Sequence, residues 1–199
     1  MNTSHAFELF EPGAPGRPEL ESFIREAFAR KHGARVQSFM PTLAALRNAS
    51  GQLCSVAGLR SAEEESLYLE AYLAEPVDAA LAARALRPVA RAEIVEVGNL
   101  ASGGCRAARH LVAMLPQLLL DRGHRWVVFT ATAGVRRILE SLDAPLVELA
   151  PATAAQVASR GDDWGRYYAA DPRVMAGHLT DGARLAAALG ALVGRTSRA

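Results

Sequence analysis

A chain of 199 residues, half of them hydrophobic and 22% charged, has room for one sizeable domain and the composition of a water-soluble globular protein. A formal net charge of +1 argues against the broad basic field of a nucleic-acid-binding protein. No apolar run approaches the ~20 residues that a membrane-spanning helix needs, so no stable membrane insertion is expected.

Residues 1–17, with Pro12, Gly13, Pro15 and Gly16, are expected to form a flexible leader. Pro18 then opens a helix whose apolar face is Leu20, Phe23, Ile24, Ala27 and Phe28, and Gly33 closes it. Residues 36–40 are short and ambiguous before Pro41. The stretch GQLCSVAGLRS, 51–61, alternates as a strand. SLYLEAYL, 66–73, reads as another, with Glu70 and Tyr72 on one face. Pro76 starts a helix to Leu86, which Pro88 prevents from continuing. Residues 92–98 form an apolar strand. Its flanking acids Glu93 and Glu96 are three apart and so face opposite sides. Ser102 can cap the next helix, whose apolar face is Leu111, Met114, Leu115, Leu118 and Leu119. Pro116 kinks that helix and Gly123 ends it.

RWVVFT, 125–130, reads as a buried strand, with Thr132 as the cap of a helix carrying Val135, Ile138, Leu139 and Leu142. Residues 146–149 make a short strand. Beyond Pro151 the alternation stops, and GDDWGRYY, 161–168, is polar and aromatic together. An alanine-rich helix over 183–193 and a frayed tail over 194–199 complete the chain. This order predicts one α/β (α+β) domain over 18–193, a mixed central sheet flanked by helices. Cys54 and Cys105 have neither a disulfide framework nor zinc spacing and read as free thiols. No basic segment followed by an apolar core opens the chain, so a cytoplasmic location is expected.

FMPTL (39–43), SLYLEAYL (66–73), AEIVEVGNLAS (92–102), WVVFTAT (126–132) and WGRYYAADPRVMAG (164–177) together resemble the thermostable hemolysin family. The resemblance implies a GNAT-like acyltransferase fold, distantly similar to acyl-homoserine-lactone synthases. In such folds a central strand splays from its neighbour, and the pantetheine arm of an acyl thioester lies in the gap. The helix that follows receives phosphate. Here that strand would be 92–98, its neighbour 126–130, and the phosphate-facing turn 101–106. ASGGCRA departs from the usual GNAT phosphate loop. Glu96 is followed by Asn99 where the lactone synthases carry an arginine. The implied cofactor is therefore acyl-CoA or another phosphopantetheine-linked donor, including an acyl-carrier protein.

Acyl transfer from a thioester to an amine needs a base, donors for the oxyanion and a proton for the leaving thiolate. A carboxylate near the end of a half-buried strand suits the first task, because desolvation raises its pKa. Glu96 is the candidate base; a salt bridge to an arginine is its structural alternative. Tyr168 is the candidate proton donor. Glu70, Asn99, Thr130 and Trp164 are candidate substrate contacts. Gly98 and Leu100 would flank the donor, while Ser102, Gly103, Gly104, Arg106 and Arg109 would hold its phosphate arm at a helix start. Each has a plain alternative: a strand terminator, a turn residue, a capped loop or solvent arginines. His5, His32, His110, His124 and His178 show no metal-ligand spacing, so no metal is expected. The expected activity is acyl transfer to the amine of a small molecule. The alternative is a non-enzymatic protein, either membrane-active or lipid-binding, which would expose an apolar helix face, or one that binds acyl thioesters without turnover.

Overall fold

The computed structural model describes the backbone of residues 6–196, with side chains at all of these except 6, 105, 106 and 188–196. Seven strands form one sheet in the order β1-β2-β3-β4-β5-β7-β6. They are β1 (Ala6–Phe10), β2 (Thr42–Arg47), β3 (Leu53–Ser61), β4 (Ile94–Ser102), β5 (Trp126–Ala131), β6 (Leu146–Pro151) and β7 (Arg173–His178). Every pairing is antiparallel except β4–β5. A parallel pair needs a long crossover, here α3 (Cys105–Asp121). The other helices are α1 (Arg17–His32), α2 (Val77–Ala85), α4 (Ala133–Glu140) and α5 (Leu179–Thr196).

Alternation along the central strands divides the core. Leu43, Ala45 and Val56 pack under Leu20 and Ile24 of α1. Their neighbours Ala44, Leu46, Ala57 and Val95 meet Leu111, Leu115 and Leu119 of α3 and Leu179 of α5. Helices α3 and α5 approach closely where Gly182 faces Pro116; a Cβ there would sit 3.1 Å from the proline Cγ.

Several sequence expectations change. The segment expected to be a loose leader contains β1, which pairs with β2 and half-buries Phe7 and Leu9. The segment 66–73 is not a strand: Tyr68–Tyr72 is a 3₁₀ helix. Its buried residues Leu69 and Tyr72 are three apart, which matches one 3₁₀ turn as well as alternation matches a strand. Glu93 sits in a 3₁₀ turn, Arg91–Glu93, before β4, and β4 continues past Gly98 to Ser102. Ser102 does not cap α3. Gly104 holds that position, and the Ser102 hydroxyl donates to the Gly104 carbonyl at 3.2 Å. Strands β2 and β7 were not anticipated. Helix α5 begins at Leu179 and runs through 194–196; 197–199 lie outside the described residues.

Candidate active site

Strands β4 and β5 pair only from Ile94/Trp126 to Val97/Phe129. Beyond that point β4 continues beside β3 and β5 beside β7, so the two parallel strands separate. A bulge sits at the parting. Gly58 of β3 opposes Gly98 and Val56 opposes Ala101, leaving Ala57 against both Asn99 and Leu100. Asn99 takes φ +46°, a left-handed conformation that asparagine tolerates better than most side chains. Its Oδ1 accepts the Met40 N–H at 2.9 Å, tying the bulge to the loop before β2. Met40 lies over Gly58 and Gly98, and a Cβ at Gly58 would be 2.8 Å from the Met40 Cβ. The glycine at 98 therefore makes room for this side chain.

A cavity of about 670 Å³ fills the gap, within the range of small-molecule sites. One end is apolar, walled by Phe129 of β5, Val112 and Pro116 of α3, Val135 and Ile138 of α4, and Leu185 of α5. The other end is polar and aromatic. Glu96 is buried there, 3% exposed. Its Oε2 accepts the Tyr68 N–H at 2.8 Å and its Oε1 the Leu69 N–H at 3.1 Å. Burial outweighs these bonds and the nearby charges of Arg60 and Arg160, pushing the carboxyl up to about 7.

Tyrosine hydroxyls line the same cavity. The Tyr72 and Tyr168 hydroxyls are 2.6 Å apart. Tyr68 donates to Asp162 Oδ2 at 3.0 Å and accepts from the Trp164 indole N–H at 3.0 Å. Burial raises all four tyrosines, 68, 72, 167 and 168, so each stays a proton donor at neutral pH. His32 closes the wall, its ring edge-on to Tyr167 at 5.2 Å; burial and the Lys31 and Arg166 charges lower its pKa.

Of the sequence-predicted residues, Glu96, Gly98, Asn99, Leu100, Ser102, Gly104, Thr130, Trp164 and Tyr168 all line this one cavity. Thr130 offers its carbonyl to the Tyr167 hydroxyl at 3.4 Å. Three do not line it. Glu70 faces away, held by Arg91 at 2.8 and 3.1 Å and by the Leu67 and Val77 N–H groups. The Gly103 N–H is spent on the Cys54 carbonyl at 2.9 Å. Arg109 reaches the Ser141 hydroxyl at 3.3 Å on the surface. The side chain of Arg106 lies outside the described residues. Sequence reasoning missed Arg60, His32 and the α5 wall. Arg60 is the one charged residue of β3, one position before its end, and that isolation was its only signal. Among the described residues, no group of three His, Cys, Asp or Glu can hold a metal ion, and no helix is long and apolar enough to cross a membrane.

Residues 10–183 match the thermostable hemolysin family. No curated protein sequence matches the chain. Among solved structures it is similar to FeeM, an N-acyl amino acid synthase from uncultured soil microbes. Identity is 13%, covering 91% of this chain and 94% of that one, with a TM-score of 0.61. It is also similar to the AHL synthase LasI (10% identity, 89% and 91% covered, TM-score 0.60). A third is BjaI, a CoA-dependent acyl-homoserine lactone synthase with SAM and isopentyl-CoA (13% identity, 94% and 90% covered, TM-score 0.56). At these identities the likeness is one of fold: a GNAT-like mixed sheet flanked by helices.

Proposed function

The chain belongs to the thermostable hemolysin family, and we propose that it is an acyltransferase moving an acyl group from an acyl thioester to the amine of a small molecule. The observation that carries this reading is the buried Glu96 at the edge of an opening between two parting strands, with an apolar chamber behind it.

In this reading the pantetheine arm of acyl-CoA or of an acyl-carrier protein lies between β4 and β5, and the acyl chain enters the apolar end. Main-chain groups of 98–100 on the β5 side have no ladder partner there and can supply an N–H to the developing oxyanion. Glu96, ionised above about pH 7, takes the amine proton directly or through water. The amine nitrogen bonds to the thioester carbon, the C–S bond breaks, and the Tyr168 hydroxyl protonates the thiolate. The helix start at Ser102 and Gly104 faces the donor's phosphate arm. Such donors belong to the cytoplasm. The lytic alternative lacks its surface among the described residues. Among the described side chains the apolar residues of the helices pack in the core or line the cavity, and Leu86 and Val147 are the exposed large hydrophobics.

Native mass spectrometry after incubation with acyl-CoA mixtures and with acylated carrier protein tests the donor. Thiol release with an amine panel tests the turnover. Liposome leakage by the purified protein, without thioester binding, would reverse the reading.

A further inference from the structure

Arg60 has no part in the scheme above, yet it shares the polar end of the cavity. It stands directly opposite Glu96 in the β3–β4 register, so the two side chains rise from the same face of the sheet. Its side chain is 18% exposed. The Nε is buried without a hydrogen-bond partner among the described residues. Glu65 Oε1 is 3.2 Å away, an ion pair by distance, but off the N–H direction. No ion pair joins Arg60 to Glu96 among the described residues. A second guanidinium, Arg160, lies over the Tyr68 ring at 4.2 Å, with no carboxylate partner among the described residues. Asp162 is already bonded to the Tyr68 hydroxyl. Arg60 thus lines the cavity beside Glu96, an acid that burial leaves partly neutral at physiological pH.

Resting on the acyltransferase reading, we propose that Arg60 binds a carboxylate on the acceptor, so that the acceptor is an amino acid or a closely similar amine bearing a carboxylate. A planar guanidinium is suited to a carboxylate, and the accessible part of the Arg60 side chain, which lines the cavity, supplies the donors. The carboxylate sits on Arg60 while the amine, a few bonds away, faces Glu96. The C–N bond forms as the C–S bond breaks, and one amine proton goes to Glu96. The thiol leaves protonated, and the product is an N-acyl amino acid that keeps its carboxylate.

The test is a matched acceptor panel: amino acids, the corresponding decarboxylated amines and the corresponding carboxamides. Each is offered with acyl-CoA and with acylated carrier protein, and thiol release and product mass are measured. The wild-type enzyme is expected to prefer the amino acid by ~100-fold or more in kcat/KM, because a site built for a polar group rejects the analogue lacking it. Arg60→Gln is expected to raise KM for the amino acid and reduce that preference to a few-fold. Arg60→Lys is expected to restore part of the preference. Equal use of amines and amino acids by the wild type would overturn the carboxylate site and leave the acyltransferase reading standing. This holds even if the variants do not fold. Donor binding and thiol release absent across the whole panel would remove the acyltransferase reading instead.

Discussion

Glu96 and Glu70 receive the same backbone ligation and end up at opposite ends of the carboxylate range. Each accepts two main-chain N–H groups in or beside the segment 67–77. Glu70 also has Arg91 across both oxygens, and that bond, the largest influence on it, pulls its pKa down to about 2 despite some burial. Glu96 has no cation in bonding range among the described residues, and burial takes it to about 7. Backbone donors alone do not decide the charge of a carboxylate; the cation and the water do. One acid fastens the 3₁₀ segment and the start of α2. The other fastens the same segment from the cavity side while remaining able to exchange a proton near neutrality.

The largest expected effect is on turnover. Glu96→Gln should lower kcat/KM by about 10²–10⁴-fold, the usual range for a lost general base. The wild-type kcat/KM should rise with pH through about 7, since the base must be ionised, and the variant should lose that limb. Full turnover in a folded Glu96→Gln enzyme would show that the raised pKa serves structure alone.

The next effect is on stability, where the two acids pull in opposite directions. Glu96 rises from an ordinary 4.5 to about 7 on folding, so the folded state holds its proton longer than the unfolded chain. That contribution is complete below about 4.5 and is lost as pH climbs through 7. It is worth ~3 kcal/mol at ~1.4 kcal/mol per unit. Chemical denaturation of wild type and Glu96→Gln at pH 5 and pH 8 measures it: the wild type should lose more stability over that interval than the variant.

The contrast between these acids was only half legible in the sequence. Glu96 could be singled out because an acid inside VEVGNLAS, on a strand running into a glycine turn, is locally unusual. Glu70 was paired with Tyr72 on a supposed strand face, because SLYLEAYL alternates cleanly. The winning influences were non-local: Glu96 draws the Tyr68 and Leu69 N–H groups into a turn from 28 and 27 residues away, and Arg91 reaches Glu70 from 21 residues away. Helices α1 to α4 were readable from their prolines and apolar spacing. Strands β1, β2 and β7 were not. Gly and Pro in 11–17 masked the first, four consecutive buried residues in Thr42–Arg47 blurred the second, and the aromatic tract ahead of Arg173–His178 hid the third. The parting of β4 from β5 followed from the family resemblance. The bulge that marks it depends on Asn99 accepting from Met40, a contact that no local pattern announces.

The smallest expected effect asks whether Arg91 is what separates the two acids. Glu70 falls from 4.5 to about 2 on folding, so its contribution is present above about 4.5 and lost as pH drops towards 2. The pair is partly exposed, with side chains 31% and 17% accessible for Arg91 and Glu70, and solvent screening reduces its worth to ~1–2 kcal/mol. Arg91→Met leaves Glu70 with its two N–H donors and no bonded cation, the arrangement Glu96 has. Its pKa should then climb, and the acid limb of a stability-versus-pH curve should move to higher pH. Arg91 also bonds Asp78 and the Ala62 carbonyl, so some loss at neutral pH reflects those contacts. Glu70→Gln separates the two contributions, because it removes the titration and keeps Arg91 on its other partners. If the acid limb in Arg91→Met superimposes on the wild-type limb, the guanidinium is not the cause of the difference. Burial alone would then have to account for why one carboxylate stays charged and its neighbour does not.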